Sequence, residues 1–488
     1  MGHPKYPSLY QINTRVWLTE LGRRLGRPAT FDDAPDAELD ALARLGFDWL
    51  WPLGVWQTGP AGVRVSRSLP DLRDEFTRYL PDLTDADVAG SPFAVRSYTV
   101  HADFGGDAAL ARFRDRLRCR GVRLLLDFVP NHTALDHPWI AAYPEHYVAG
   151  TEADLVREPN NYFRTPAGRI LAHGRDPYFP GWTDTAQLDY RHPELRSAMK
   201  CELLAVALKC DAVRCDMAML LLPDVIARTW GGDVAESWWP GAIAAVKARH
   251  PDFTFMAEVY WDREYELQQQ GFDYTYDKKL YDRLRDRDAA AVRGHLHADP
   301  EFMRRSVRFL ENHDEPRAAA TFPGDVHKAA ATIALLVPGL RFVHDGQYVG
   351  RTKRLPVHLG RITPEPVDEG LADFYGRLFA VLRRPVVGDG TWRLVDCRPA
   401  WDGNPTWEKF IAFAWDGPGR ERLLVAVNYG PTQGQCYVAW PWPDLRGRTV
   451  ILADQLSEAR YDRARDDLLA RGLYLDVPAW GYHAFVVS

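Results

Sequence analysis

Four hydrophobic stretches of the chain each end in side chains that can transfer protons or form hydrogen bonds with a polar ligand. Asp211–Asp216 ends in a carboxylate, Phe253–Glu258 in a glutamate, and Ser306–Asp314 in a His-Asp pair. Arg123–His132 ends in an asparagine followed by a histidine. Carboxylates and imidazoles gathered in one pocket are the groups used for general acid–base and nucleophilic catalysis. We therefore expect these four ends to meet in a single polar site.

The run Asp211–Asp216 is the most informative of the four. Side chains alternate between the two faces of a β-strand, so Arg214 and Asp216 lie on the same face. A guanidinium beside a carboxylate favours its ionised form and orients it. This pattern predicts that Asp216 acts as a nucleophile.

Strand-like and helix-like patterns alternate along most of the chain, which is typical of a parallel β/α fold. Helices are predicted at 36–45, 108–119 and 192–209. Eight strands are predicted, at 9–17, 47–53, 123–132, 211–216, 253–258, 271–276, 306–314 and 339–346. Eight β/α units are the number in a closed (β/α)8 TIM barrel, whose active sites lie at the carboxyl ends of the strands.

The pattern changes in two places. Residues 133–190 are irregular, polar and rich in aromatic residues, so we predict an insertion subdomain after the third strand. Beyond about residue 387, short alternating strands separated by Gly/Pro turns predict a C-terminal antiparallel β-sandwich. The predicted domains are thus a barrel at 1–132 and 191–386, the insertion at 133–190, and the sandwich at 387–488.

Composition excludes several classes of partner. A net charge of -6 argues against nucleic acid or an anionic membrane as a partner. The six cysteines form no CxxC pair and predict buried, reduced thiols. With no apolar segment typical of a secretory signal, we expect a cytoplasmic protein. No glycine-rich nucleotide motif is present in a strand–helix context, so no organic cofactor is expected.

Together these motifs resemble those of the α-amylase superfamily, glycoside hydrolase family 13. Four signatures of that family occur in order at 127–132, 211–216, 255–258 and 311–314, and the resemblance covers nearly the whole chain. A single strand-end carboxylate is more often a cap or a surface ion pair. Four such ends on one barrel, however, require a common explanation.

The resemblance implies roles for three carboxylates. Asp216 would be the nucleophile, Glu258 the general acid/base and Asp314 a transition-state stabiliser. Glu258 ends an apolar strand and would face other carboxylates, so we expect a raised pKa that keeps it protonated. Substrate-binding roles are implied for Asp127, His132, Arg214 and His313.

Four further residues are candidate substrate contacts. Phe93 stands near the position of a sugar-stacking tyrosine in many members, and would form that platform or pack its loop. Tyr260 and Trp261 would stack on a leaving-group sugar or cover the rim of the barrel. Arg317 follows Asp314 in a pattern similar to exo-acting α-glucosidases, where the arginine lies near the active-site mouth.

Two departures from the family limit the substrate. Met219-Leu220 replace a polar Lys-His pair found in many amylases, which points away from cleavage within long starch chains. Asn131 matches a usual calcium ligand, but calcium takes six to eight oxygen ligands and no partners are evident. We therefore predict neither a metal site nor a required cofactor.

The leading hypothesis is a retaining α-glycosidase that acts on short α-glucosides or malto-oligosaccharides through a covalent glycosyl-Asp216 intermediate. An α-glucan transglycosylase or glucoside isomerase would use the same intermediate and exclude water. A non-catalytic binding scaffold is the third alternative. The presence of both Asp216 and Glu258 disfavours it, because such scaffolds typically lose one of them.

Overall fold

The strands and helices are described for residues 4–445 and 449–488 of a computed structural model. The first fourteen strands are, in chain order, β1 (Ser8–Asn13), β2 (Trp49–Leu53), β3 (Trp56–Thr58), β4 (Val95–Val100), β5 (Arg123–Phe128), β6 (His132–Ala134), β7 (Tyr162–Arg164), β8 (Ile170–Ala172), β9 (Thr185–Gln187), β10 (Ala212–Cys215), β11 (Thr254–Ala257), β12 (Tyr274–Tyr276), β13 (Ser306–Arg308) and β14 (Leu340–His344).

The helices are α1 (Thr14–Leu25), α2 (Asp36–Leu45), α3 (Pro60–Ser68), α4 (Pro70–Tyr79), α5 (Gly106–Arg118), α6 (Trp139–Ala142), α7 (Glu152–Arg157), α8 (Pro193–Ala207), α9 (Pro223–Trp230), α10 (Trp239–Lys247), α11 (Glu264–Gln269), α12 (Lys278–Arg285), α13 (Ala289–Leu296), α14 (Pro300–Arg304), α15 (Ala318–Thr321), α16 (Asp325–Leu336), α17 (Glu369–Leu382), α18 (Pro385–Gly388) and α19 (Arg465–Arg471).

Eight parallel strands close into a barrel in the order β1, β14, β13, β12, β11, β10, β5, β2. The residues of β2 and β10 are buried throughout, as expected for strands covered on both faces. The predicted (β/α)8 barrel is confirmed. Because all eight strands run in the same direction, the side chains that follow them gather at one end of the barrel.

The C-terminal region consists of antiparallel sheets, which confirms the predicted fold class. Its strands are β15 (Thr391–Val395), β16 (Cys397–Pro399), β17 (Phe410–Asp416), β18 (Arg422–Asn428), β19 (Gly434–Val438), β20 (Thr449–Asp454), β21 (Arg460–Ala464), β22 (Leu473–Val477) and β23 (Tyr482–Val487). Six of them pair in the order β15, β17, β18, β23, β20, β21, and three pair as β16, β19, β22.

All eight predicted barrel strands are shorter in the structure, and three of them end at least four residues before the predicted end. The first ends at Asn13, and Thr14–Leu25 is a helix. The side chain of Asn13 accepts a hydrogen bond from the Val16 amide at 3.2 Å, so it caps the helix and outweighs the strand preference of Val16 and its neighbours. The third and seventh strands end at Phe128 and Arg308, before the polar residues that follow them.

The insertion at 133–190 is built from short elements, including β7 paired with β8 and β9 paired with β6. A second excursion of the chain, which no sequence pattern predicts, lies between β2 and β5. It contains α3 and α4. Proline occupies the first turn of both helices, where its missing N–H costs nothing. Residues 60–90 of this excursion pack against residues 350–366, and ion pairs such as Arg354–Glu75 and Arg361–Asp87 join the two segments. We call this layer the cap.

Among the described residues, no helix combines the length and the apolar character needed to cross a membrane. Cys119 and Cys201 are exposed, so the prediction that the thiols are buried is wrong for these two; Cys210, Cys215 and Cys436 are buried.

Candidate active site

The site lies where β5, β10, β11 and β13 end. Arg214 is in β10, with Asp127 of β5 as its register partner on one side and Met256 of β11 on the other. Asp216 and Glu258 directly follow β10 and β11, so neighbouring parallel strands deliver the two carboxylates side by side. The barrel therefore places at one edge the side chains that the sequence singled out.

One guanidinium joins the two carboxylates. Arg214 Nη1 donates a hydrogen bond to Asp216 Oδ1 at 2.6 Å, and its Nη2 lies 2.8 Å from Glu258 Oε2. All three side chains are buried, which strengthens these charge-assisted contacts relative to exposed ones. Since a guanidinium is only a few ångströms across, the two acids are held close together in a defined orientation.

Glu258 retains its proton more strongly than an ordinary glutamate. Burial raises its pKa well above the usual range, the neighbouring Asp216 and Asp314 add to this effect, and Arg214 opposes it. The Met217 amide donates to Glu258 Oε2 at 2.7 Å, and the Tyr260 hydroxyl donates to Oε1 at 3.0 Å. Two hydrogen bonds thus orient Glu258, and its raised pKa favours the protonated form.

Met217 adopts an uncommon backbone conformation, with a φ of 42°, in the left-handed region that a non-glycine residue seldom occupies. This geometry turns the Met217 amide toward Glu258. Strained residues of this kind concentrate at functional sites, where the surrounding structure maintains them.

His313 is neutral and lies between Gln11 of β1 and Asp314. Burial lowers the pKa of His313 far below its usual value. Its Nε2 lies 3.1 Å from Asp314 Oδ2, and its Nδ1 lies 3.1 Å from the side-chain amide nitrogen of Gln11. The Gln11 amide N–H donates to Nδ1, so the imidazole proton is assigned to Nε2. Nε2 lies near Asp314 but forms no hydrogen bond with any described residue, so this N–H is free to donate to a ligand.

Asp127 lies beneath the pocket and supports it. It accepts hydrogen bonds from the Trp51 indole at 3.2 Å and from the Gly54 amide at 2.8 Å. Burial raises the pKa of Asp127 to about 6, although the nearby charge of Arg214 opposes the rise. Asp127 is therefore part of the electrostatic floor of the site, below the residues that line its wall.

Phe93 and His132 are neighbouring parts of the pocket wall, since the His132 side chain forms a hydrogen bond with the Phe93 backbone. The Phe93 ring stacks on His313 with centroids 5.4 Å apart and lies 5.3 Å from the guanidinium carbon of Arg214. His132 packs against Trp182, with ring centroids 5.2 Å apart. Burial lowers the pKa of His132. Phe93 thus provides an aromatic face directly above the charged floor.

The pocket has a volume of about 300 Å³. Its lining comprises Ser91, Phe93, His132, Trp182, Asp184, Thr185, Asp216, Met217, Glu258, Tyr260, Asp314 and His358. Sequence reasoning missed Trp182, Asp184 and Thr185 of the insertion, and His358 of the cap. None of them belongs to a periodic pattern, and the only available signal was the aromatic and acidic content of the insertion.

Trp261 and Arg317 lie outside the lining of this pocket. The Trp261 side chain is partly exposed and meets Tyr178 edge to face, with centroids 5.0 Å apart. Arg317 is buried, lies 3.1 Å from Glu311 and donates to the Asp345 carbonyl at 2.7 Å. Arg317 lines a different cavity, next to β1 and β14.

The oxygen of Asn131 is occupied by another side chain. Gln187 donates from its amide to Asn131 Oδ1 and to the Asn131 carbonyl, both at 3.0 Å. Within residues 4–445 and 449–488, no group of three His, Cys, Asp or Glu residues is arranged to hold a metal ion. The Asn131–Gln187 pair joins the barrel to the insertion by neutral hydrogen bonds.

Comparisons with known proteins identify the family of the chain and proteins of similar fold. The family model for the α-amylase catalytic domain matches residues 93–362. Alpha-amylase 3 of Dictyoglomus thermophilum is 22% identical over 276 residues, which are 52% of each chain. Alpha-amylase MalA of Haloarcula japonica is 26% identical over 364 residues, or 71% of this chain and 44% of that protein. The chain thus spans about half the length of these relatives.

A solved structure with a similar fold is the noncanonic maltogenic α-amylase AmyB of Thermotoga neapolitana. It aligns over 99% of both chains with a TM-score of 0.70 and 18% identity. The family model covers more than half of this chain, and the matched residues include Asp216, Glu258 and Asp314. The chain therefore belongs to the α-amylase family of glycoside hydrolases and related transglycosylases.

Proposed function

We propose that this protein is a retaining α-glycosidase that cleaves short α-glucosides or malto-oligosaccharides. The observation that carries the proposal is the pair of buried acids joined by Arg214, one of them with a strongly raised pKa. Retaining glycosidases require two carboxyl groups about 5 Å apart that differ in protonation.

The first step forms a covalent glycosyl-enzyme. A carboxylate oxygen of Asp216 bonds to the anomeric carbon of the sugar while the bond from that carbon to the leaving oxygen breaks. Glu258 transfers its proton to the leaving oxygen. Arg214 holds Asp216 in its attacking orientation, and Asp314 accepts hydrogen bonds from sugar hydroxyls as the ring flattens, where such contacts favour the transition state.

The second step releases the sugar. Glu258, now ionised, removes a proton from water as the water oxygen bonds to the anomeric carbon and the bond to Asp216 breaks. Two successive displacements leave the anomeric configuration unchanged. Asp216 and the protonated Glu258 are thereby regenerated.

The size and lining of the pocket support a short substrate. Its volume of about 300 Å³ is at the lower end of the range for ligand sites. Phe93 and Trp182 enclose it with aromatic faces. Met219 and Leu220, beyond the nucleophile, are buried and present no polar group to a longer chain.

The experiment uses Glu258→Gln and a glucosyl donor with an activated leaving group. Departure of such a group needs no acid, whereas the second step lacks its base, so a glycosyl adduct should accumulate on Asp216. Intact-mass spectrometry should show one added hexosyl unit, and peptide mapping should place it at Asp216. Absence of the adduct in Glu258→Gln, or its presence in Asp216→Asn, would contradict the assigned roles.

Product analysis on maltose distinguishes hydrolysis from transfer. We expect free glucose whose first-formed anomer is α, observed by NMR. Predominant formation of longer or rearranged disaccharides would instead identify a transglycosylase or isomerase. Both outcomes require the Asp216 intermediate, so the adduct experiment and the product experiment test different parts of the proposal.

A further inference from the structure

A groove separate from the catalytic pocket lies between α1, α3 and the chain around residues 86–89. Its volume is about 990 Å³, and it shares no lining residue with the catalytic pocket. Four arginines line it, at positions 15, 23, 27 and 67, and Asp103 is the one acidic residue among its lining. In a protein with a net charge of -6, this is a local concentration of positive charge.

Arg15 is the unusual member of this group. Its exposed fraction is 8%, and among the described residues no carboxylate lies within ion-pair distance of it. Burial lowers the pKa of Arg15 to about 10, so the guanidinium is still charged at neutral pH. Asp103 opposes this shift from beyond ion-pair distance. A buried charge without a counter-ion in contact is costly, and an anionic ligand would reduce that cost.

Arg15 also retains hydrogen-bonding capacity. Its Nη1 donates to the Gly90 carbonyl at 2.5 Å, and its Nη2 donates to Thr58 Oγ1 at 3.0 Å. A guanidinium has five N–H donors in a planar fork that matches phosphate and carboxylate oxygens. The two contacts hold the group in place and leave further donors for a ligand.

Arg67 reaches the same stretch of chain from α3. It donates to the Val88 carbonyl at 3.4 Å, two residues before the carbonyl that holds Arg15. Two residues of extended chain span about 7 Å, so the two guanidiniums are anchored close together. Arg23 and Arg27 differ from them, because each forms an ion pair, with Glu20 and Asp33 respectively.

From these observations we infer that the groove binds a small phosphate monoester, with the phosphate held between Arg15 and Arg67. Two cations without carboxylate partners suit a dianion, and guanidinium–phosphate pairs are among the stronger polar contacts in proteins. Leu18, Val63 and Phe104 add apolar surface to the lining, and the volume leaves room for a carbon skeleton of sugar size beside the phosphate.

The test measures binding by isothermal titration calorimetry with glucose 6-phosphate and with inorganic phosphate, at an ionic strength kept constant with chloride. We expect saturable binding of glucose 6-phosphate that is tighter than that of inorganic phosphate. Equal affinity for the two would contradict the monoester part of the inference. No saturable binding of either would overturn it entirely.

Two exposed arginines of α3 provide a matched pair of variants. Arg67 lines the groove, whereas Arg64, three residues earlier on the same helix, does not. Arg67→Gln should weaken glucose 6-phosphate binding by about tenfold or more, because it removes a charge-assisted contact. Arg64→Gln should leave binding unchanged. Equal affinities in the two variants would exclude this groove as the site. Neither residue is buried, so both variants should fold.

Discussion

In the proposed mechanism Glu258 combines two properties that oppose each other, because its carboxyl group is buried and yet must ionise during turnover. The native state binds its proton more tightly than the unfolded chain does, because burial raises its pKa. Its contribution to stability is therefore complete below the usual glutamate range. That contribution is lost as the pH rises through the raised pKa.

Glu258→Gln should consequently be inactive toward ordinary glucosides yet more stable than the native protein at alkaline pH. Glutamine cannot ionise, so the difference in stability should grow from about zero near pH 5 to about 1–3 kcal/mol near pH 8. Calorimetric melting temperatures across this range measure it. A difference independent of pH would show that Glu258 is not the group that ionises.

Asp184 is the carboxylate of the pocket that has no assigned role. Burial raises its pKa to about 6, and its Oδ2 has no hydrogen-bond partner among the described residues. Above that pH the carboxylate lines the pocket without a partner, so a sugar hydroxyl is its natural donor.

Asp184→Asn should therefore raise the KM for maltose about tenfold at pH 7 while changing kcat little, since a hydrogen bond to a charged group is lost in both ground and transition states. Steady-state kinetics measures both constants. Glu145→Gln, which alters an exposed carboxylate of the same insertion, is the control and should behave as the native protein does. A loss confined to kcat would contradict a binding role.

At the scale of secondary-structure elements, the cap joins parts of the chain about 270 residues apart in sequence. Arg354 pairs with Glu75 of α4, Arg361 with Asp87, and the Ala89 amide donates to the His358 carbonyl at 2.8 Å. His358 reaches the catalytic pocket from this layer. The cap therefore contributes a side chain to the pocket wall, as the insertion does.

Arg354 also connects the cap to Asp314, the proposed transition-state stabiliser, because it donates to the Asp314 carbonyl at 3.0 Å. Arg354→Met should lower kcat/KM for maltose by about tenfold, mainly through kcat, since Asp314 acts most strongly in the transition state. Arg78→Met, on the exposed side of α4, should have no effect. Equal losses in the two variants, or a change in KM alone, would exclude this positioning role.

On the largest scale, one face of the six-stranded C-terminal sheet shares its core with the barrel. The Trp415 indole donates to the Leu336 carbonyl at 2.9 Å and lies 5.2 Å from the ring of Tyr6. The Tyr429 hydroxyl donates to the Leu284 carbonyl at 2.6 Å. The domain boundary near residue 387 stays a prediction, and the shared core leads us to expect that the two parts unfold together.

Trp415→Ala should reduce the free energy of unfolding by about 3–5 kcal/mol, as expected for truncating a buried aromatic side chain. In the native protein, activity, which reports on the barrel, and a spectroscopic signal of the C-terminal sheets should be lost at the same urea concentration, because the two parts share a core. Trp401→Ala removes a tryptophan that is 56% exposed and should change stability by less than about 0.5 kcal/mol. Separate transitions for activity and for the C-terminal sheets would contradict the shared core.

The features predicted from sequence are those with a local physical cause. Alternation along one strand places Arg214 beside Asp216, and the helix predicted at 36–45 has those same bounds in the structure. Hydrophobic strands followed by polar residues predict a barrel with its site at one end. Where local signals compete, as at Asn13, the helix cap outweighed the strand pattern.

The remaining features depend on contacts between distant segments, which no local period encodes. The approach of Arg214 to Glu258, the entry of Trp182 and Asp184 into the pocket, and the pairing of α4 with residues 350–366 all arise when separate loops pack together. The same kind of packing places Arg317 beside Glu311 and outside the lining of the pocket that contains Asp216 and Glu258. Strand periodicity determines which residues reach the end of the barrel, whereas burial and long-range hydrogen bonds select those that face the substrate.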